Sequence, residues 1–105
     1  DVSLTISHQK VPVLPHTYEL AEDNIFPGGT IENVNWLADK VNFHESVTTS
    51  YQRILCDAIT SGGLLISLPE EKATQYVQSF NKFSPIKAEI IGEVKSKREK
   101  FIHVI

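Results

Sequence analysis

Two short stretches contain residue types at a spacing that could do chemistry: Pro27-Gly28-Gly29-Thr30, with Asn33 one turn later, and Asp57-Ala58-Ile59-Thr60-Ser61-Gly62-Gly63. Glycine pairs permit positive φ and let a ligand come close to the backbone, while neighbouring hydroxyls and N–H groups can hold an anion. The first stretch leads into a helix, whose N-terminal N–H groups and dipole favour phosphate. The second leads into an apolar run that reads as a strand. It lacks the Lys-Ser/Thr and following helix of a Walker loop, so it is not one. Each stretch also has a reading without a ligand. Gly28-Gly29 can end one helix, with Thr30 capping the next and Asn33 returning a hydrogen bond, and Thr60 to Gly63 can be a plain tight turn.

The remaining reactive side chains are less suggestive. Asp57 could hold Mg²⁺ or cap its own loop, and capping is the better expectation because Mg²⁺ sites recruit more than one carboxylate or phosphate oxygen. His8, His16, His44 and His103 have no metal-like spacing. Cys56, the single cysteine, reads as a small buried hydrophobe. No catalytic residue and no metal ligand is therefore assigned. Trp36 and the stripe Tyr76, Phe80, Phe83 are expected in the core.

Composition narrows the class. The 105 residues are 41% hydrophobic and 22% charged, which suits one globular domain. One cysteine allows no internal disulfide and favours a reducing, cytoplasmic setting. No apolar run is long enough for a membrane span, and no secretory signal is visible. A net charge of −3 argues against a nucleic-acid partner. The chain from Lys87 onward is more basic than the rest, and Lys95 to Lys100 reads as a solvated turn.

These loops need elements to position them. Val2 to Ile6 alternates apolar and polar residues like a half-buried strand with Val2, Leu4 and Ile6 inward. Pro12 and Pro15 make Lys10 to Leu14 an extended connector. Leu14, Tyr18, Ala21 and Ile25 form one helical stripe, ended at Phe26-Pro27-Gly28-Gly29. A second helix is expected over about Thr30 to Lys40, with Val41 on its stripe, and a third around Val47 to Leu55 with Ser46 as cap. Leu64 to Leu68 reads as a buried strand, and Pro69-Glu70-Glu71 opens a helix that stops at Ser84-Pro85. Lys87 to Val94 and Phe101 to Ile105 then form an antiparallel hairpin, with Gly92 at a bulge. The fold class is α+β, a layered mixed sheet covered by helices.

The segments VPVLP, LAEDNIFPGGTIEN, ILCDAITSGGLLISLP and IIGEV, in this order, resemble the C-terminal part of the selenophosphate synthetases (selenide, water dikinases). That family carries a PGGT segment with a following Asn and an LxDxxTSGGLLI segment, which stand here as Pro27 to Thr30 with Asn33, and as Leu55, Asp57 and Thr60 to Ile66. The resemblance covers about Lys10 to Val94. It implies the C-terminal-domain fold of the aminoimidazole ribonucleotide synthetase (PurM-like) superfamily, partly like a ferredoxin fold. It also implies a complete enzyme, usually a homodimer, that uses ATP, Mg²⁺ and selenide to make selenophosphate, releasing AMP and phosphate.

The resemblance places the family's reactive Cys or selenocysteine, its neighbouring Lys and most of its metal-binding aspartates in an N-terminal domain, and another metal-binding Asp in a DVTGFG segment just before the point where this chain starts; none of these is present here. Ala58-Ile59 also stands where the family often has Pro-Gln or Ala-Gln. The start at Asp1 without Met fits a fragment. Residues 1–105 are then expected to be one domain of a larger enzyme, inactive alone, holding no cofactor by itself and partnered by its own N-terminal domain. The candidate ligand-binding residues are Gly28, Gly29, Thr30, Asn33, Asp57, Thr60, Ser61, Gly62 and Gly63, placed at the phosphate or selenide end of an interdomain cleft. Two alternatives stay open: a non-catalytic module of the same fold that binds a partner or metabolite, and a structural paralogue whose loops are only turns.

Overall fold

The computed structural model describes residues 1–105. Strand β1 (Val2–Ile6) is followed by a single 3-10 turn at His8–Lys10, helices α1 (Thr17–Glu22) and α2 (Gly28–Leu37), strand β2 (Val41–Phe43), helices α3 (Thr49–Leu55) and α4 (Glu70–Phe83), and strands β3 (Gly92–Ser96) and β4 (Ile102–Val104). The strands form one mixed sheet in the order β2-β4-β1-β3, with β4 parallel to both β1 and β2 and β3 antiparallel to β1. The class is α+β, as the sequence indicates. No helix is long and apolar enough to cross a membrane.

Directly paired residues share a sheet face, so Leu4, Ile6, Val41, Phe43, Ile102 and Val104 form one apolar side. Val41, Val47 and Val104 are its buried centre, and Leu37 of α2 and Tyr51 and Leu55 of α3 pack on them. Helix α1 joins through Tyr18, whose ring lies 5.2 Å from that of Tyr51; His8 meets the same ring edge-on at 4.8 Å. Thr48 caps α3 by accepting the Tyr51 N–H at 3.3 Å, in place of the expected Ser46, which instead pairs with His44.

The structure corrects several expectations. Phe101 to Ile105 does not form a hairpin with the preceding strand, because β1 lies between β3 and β4. The strand expected from Lys87 begins only at Gly92, and its register with β1 runs unbroken through Gly92, so there is no bulge there. Leu64 to Leu68 is neither strand nor buried. Its backbone pairs with nothing, and Leu64 is 91% exposed. Helix α2 stops at Leu37, and Val41 opens β2, a short strand hidden from periodicity because Val41 also falls on the helical stripe. Leu14 and Ile25 lie outside α1 and are exposed.

In β1 the polar Ser3 and Thr5 are more buried than Val2, Leu4 and Ile6. The Lys97–Lys100 turn folds back on Ser3, whose hydroxyl donates to the Lys100 carbonyl at 2.7 Å and accepts the Arg98 N–H at 2.9 Å. That basic turn is thus tied to the sheet through its backbone. Trp36 (67% exposed) and Phe83 (86% exposed) are not core residues, and Tyr76 and Phe80 are also exposed.

Gly92 is fixed by close approach: a Cβ there would run into the Thr5 carbonyl oxygen of the neighbouring strand. Gly28, by contrast, has nothing within 4 Å of where a Cβ would be. Gly92→Ala is therefore expected to destabilise the domain by about 3 kcal/mol, whereas Gly28→Ala stays within about 0.5 kcal/mol of the parent. Urea unfolding midpoints of the two variants test this contrast.

Candidate functional site

Pro27 precedes α2 as its N-cap residue, with φ −62° and ψ 149° but no side-chain cap bond. Thr30 is therefore not the cap; it is the third helical residue, and it is fully buried at 0% exposure. A buried hydroxyl needs a partner. It donates to Asp57 Oδ1 at 2.6 Å, across 27 residues of sequence. This bond also replaces the expected capping of its own loop by Asp57. One turn later Asn33 does not return to the helix start. Its Nδ2 donates to the Cys56 carbonyl at 2.9 Å, the residue before Asp57.

The two glycine stretches are therefore neighbours. Their backbones close up where Gly29 meets Ala58, so that a Cβ on Gly29 would stand 3.1 Å from that of Ala58. No glycine takes positive φ; the left-handed position in the second loop belongs to Ser61, at φ 58°. Gly29 serves close approach rather than turn geometry.

A third tie comes from Arg53 at the end of α3. Its Nη1 donates to Asn24 Oδ1 at 2.8 Å, and its guanidinium lies 4.8 Å from the Phe26 ring centroid. Asn24 holds φ 60°, a conformation asparagine tolerates better than most residues. The sequence reading missed Arg53, Asn24 and Phe26. Asn24 lies just before Phe26-Pro27 and marks a turn, but its pairing with Arg53 is tertiary and leaves no local trace.

Of the nine candidate residues, Gly29, Thr30, Asn33 and Asp57 are brought together, with Gly28 beside them. Thr60, Ser61, Gly62 and Gly63 are exposed and make no hydrogen bond to the first loop. The N–H groups of Gly28, Gly29, Gly62 and Gly63 meet no protein acceptor. Asp57 also brings a negative charge to the first turn of α2, where the helix dipole favours it.

No group of three or more His, Cys, Asp or Glu side chains is placed to hold a metal ion. Cys56 is buried, and burial pushes its thiol above the ordinary range. Thr5 Oγ1 and His103 Nε2, facing neighbours on β1 and β4, are buried without a hydrogen-bond partner.

The chain is similar to known proteins. The chain is 38% identical to the selenide, water dikinase of Aliarcobacter butzleri (strain RM4018) over 96% of its length. It is 37% identical to that of Clostridioides difficile (strain 630) over its full length. It is 38% identical to selenide, water dikinase 2 of Peptoclostridium acidaminophilum over 99%. This chain belongs to the selenide, water dikinase family. It spans about 30% of the length of these relatives. No family model matches the chain.

Two outcomes check this geometry. Asn33→Ala frees the Cys56 carbonyl and is expected to cost about 1 kcal/mol in urea unfolding. The Cys56 thiol is expected to resist a disulfide reagent at neutral pH until the protein unfolds, because burial both covers it and disfavours the thiolate. The linkage has a definite sign. With the folded pKa raised, the unfolded thiol ionises first, so stability falls as pH climbs past the ordinary thiol range.

Proposed function

We propose that this chain is the C-terminal, PurM-like domain of an ATP-dependent enzyme that makes selenophosphate from ATP, selenide and water, with release of AMP and phosphate. The observation that supports this best is the Thr30–Asp57 bond. It sets the two stretches that resemble family motifs side by side, in a chain that belongs to the family. In this reading both glycine loops face the cleft toward the rest of the polypeptide and line its phosphate or selenide end.

The chemistry the loops can supply is neutral. Free N–H groups at Gly28, Gly29, Gly62 and Gly63, and the hydroxyls of Thr60 and Ser61, can orient a phosphoryl group and share its charge. Thr30, Asn33 and Asp57 act on each other: they hold the first loop to α3 and fix the direction of the Gly28 and Gly29 N–H groups.

The residues here do not fit a Mg²⁺ site. Asp57 is bonded to Thr30, and it belongs to no group of three or more His, Cys, Asp or Glu side chains placed to hold a metal ion. Mg²⁺ and the reactive Cys or selenocysteine belong, in this reading, to the N-terminal domain, through which the cytoplasmic homodimer also pairs. The 105-residue chain alone is accordingly inactive.

The test is phosphorus NMR of ATP and selenide with the full-length polypeptide and with this chain. Selenophosphate and AMP are expected only from the former, and turnover by the isolated chain overturns the proposal. Gly62→Ala in the full-length protein sharpens it. The new methyl meets only the Ile59 side chain, Cγ2 at 3.4 Å and Cβ at 3.8 Å, both ordinary contacts, so folding is expected to be unaffected. Crowding of the phosphoryl group is expected to lower turnover about tenfold or more. An unchanged rate removes the second loop from the site.

A further inference from the structure

Helix α4 is the longest element, 14 residues, yet none of its residues is buried. Its acidic first turn, Glu70 and Glu71, and Lys82 near its end suit the helix dipole. Its apolar residues form one stripe, half-buried along one edge and exposed along the other. Ala73 and Val77 are half-buried, and Val77 lines an open groove with Val11, Pro12 and Ile90. Tyr76, Phe80 and Phe83, at spacings of four and three, stand on the side turned to solvent. The Tyr76 and Phe80 rings stack at 5.7 Å and 20°, and with Phe83, Ser79 and Ser84 they enclose a shallow hollow of about 320 Å³. Ile86, 75% exposed, follows just past the helix end.

The chain beyond the helix is tied back to it. Asn81 holds the chain beyond the helix in both directions: its Nδ2 donates to the Ala88 carbonyl at 3.1 Å, and its Oδ1 accepts the Ala88 N–H at 2.8 Å. Lys87 Nζ donates to the Asn81 carbonyl at 2.9 Å. A patch of three aromatic rings around a hollow has the composition of an interface core. Soluble proteins rarely leave such a patch open to water.

We infer that the outer face of α4, centred on Tyr76, Phe80 and Phe83, is the seat of the remaining part of the family polypeptide, which places an apolar side chain in the hollow. The occupant follows from length. This chain spans about 30% of its relatives, so most of their polypeptide lies outside it. The inference rests on the proposal that this chain works within a longer polypeptide. It concerns a different surface from the glycine loops.

Hydroxyl-radical footprinting of the full-length polypeptide tests it, with the 105-residue chain as reference and Trp36 as an exposed control. Labelling of Tyr76, Phe80 and Phe83 is expected to fall about fivefold or more in the full-length protein, as water is excluded from an interface core, and to do so independently of protein concentration. Introducing Phe83→Asp in the full-length protein restores labelling at Tyr76 and Phe80 while far-ultraviolet circular dichroism stays unchanged. Equal labelling in both proteins overturns the inference. So does protection that grows with concentration, which assigns the face to a second copy, or protection already present in the isolated chain, which assigns it to the chain's own Leu64–Leu68 segment. Footprinting does not depend on turnover, so protection without selenophosphate formation would fail the functional proposal and leave this one standing.

Discussion

One hydrogen bond, from the buried Thr30 hydroxyl to the Asp57 carboxylate, organises the part of the molecule that bears on function. Thr30 has no access to water, so its hydroxyl must find an acceptor inside the protein. The acceptor is a carboxylate, which makes the bond short and charge-assisted. Closing it draws the first turn of α2 against the loop after α3, and that approach is the reason Gly29 cannot carry a side chain freely: Ala58 stands in the way. Asn33 to Cys56 and Arg53 to Asn24 extend the same seam. The glycine loops are thus held by side chains at their bases, and their N–H groups remain free above them.

The surroundings of this seam are thinly packed. Only Ala21, Val41, Val47, Cys56 and Val104 form a buried apolar core, while Leu64, Leu65, Ile86 and the α4 rings face water. A domain that exposes so much apolar surface gains little from burial on its own. That balance agrees with a chain spanning about a third of its relatives. The side of the sheet that is well covered, under α2 and α3, is the side whose helices carry the seam, so the packing that exists is spent on positioning the loops.

Much of this was legible in the sequence where a local signal has a single physical meaning. β1 and α4 follow from period-two alternation and from Pro-Glu-Glu followed by an apolar stripe, and both form where expected. Cys56 is buried, as its small apolar character suggests. The α+β class follows from the mixture of periods. The two motifs were legible as a pair because the family resemblance joined them; from residues alone each was a common turn.

What could not be read was tertiary. Val41 satisfies a helical stripe and a strand equally well, so β2 went unseen. β1 inserts between β3 and β4 because of long-range pairing that no turn sequence encodes, which dissolves the expected hairpin. The runs Leu64–Leu68 and Tyr76-Phe80-Phe83 look like core, since hydrophobic pattern reports a need for cover and not whether this chain supplies it. Asp57 and Asn33 have local partners available by motif logic, and the fold gives them distant ones.

The account stands most directly on the coupling between Thr30 and Asp57. A double-mutant cycle of Thr30→Val and Asp57→Ala, followed by urea unfolding, measures it. The two substitutions are predicted to be strongly non-additive, with a coupling of about 1–3 kcal/mol, because either one alone removes the whole bond. Additive effects within experimental error would contradict the claim that this bond holds the two loops together.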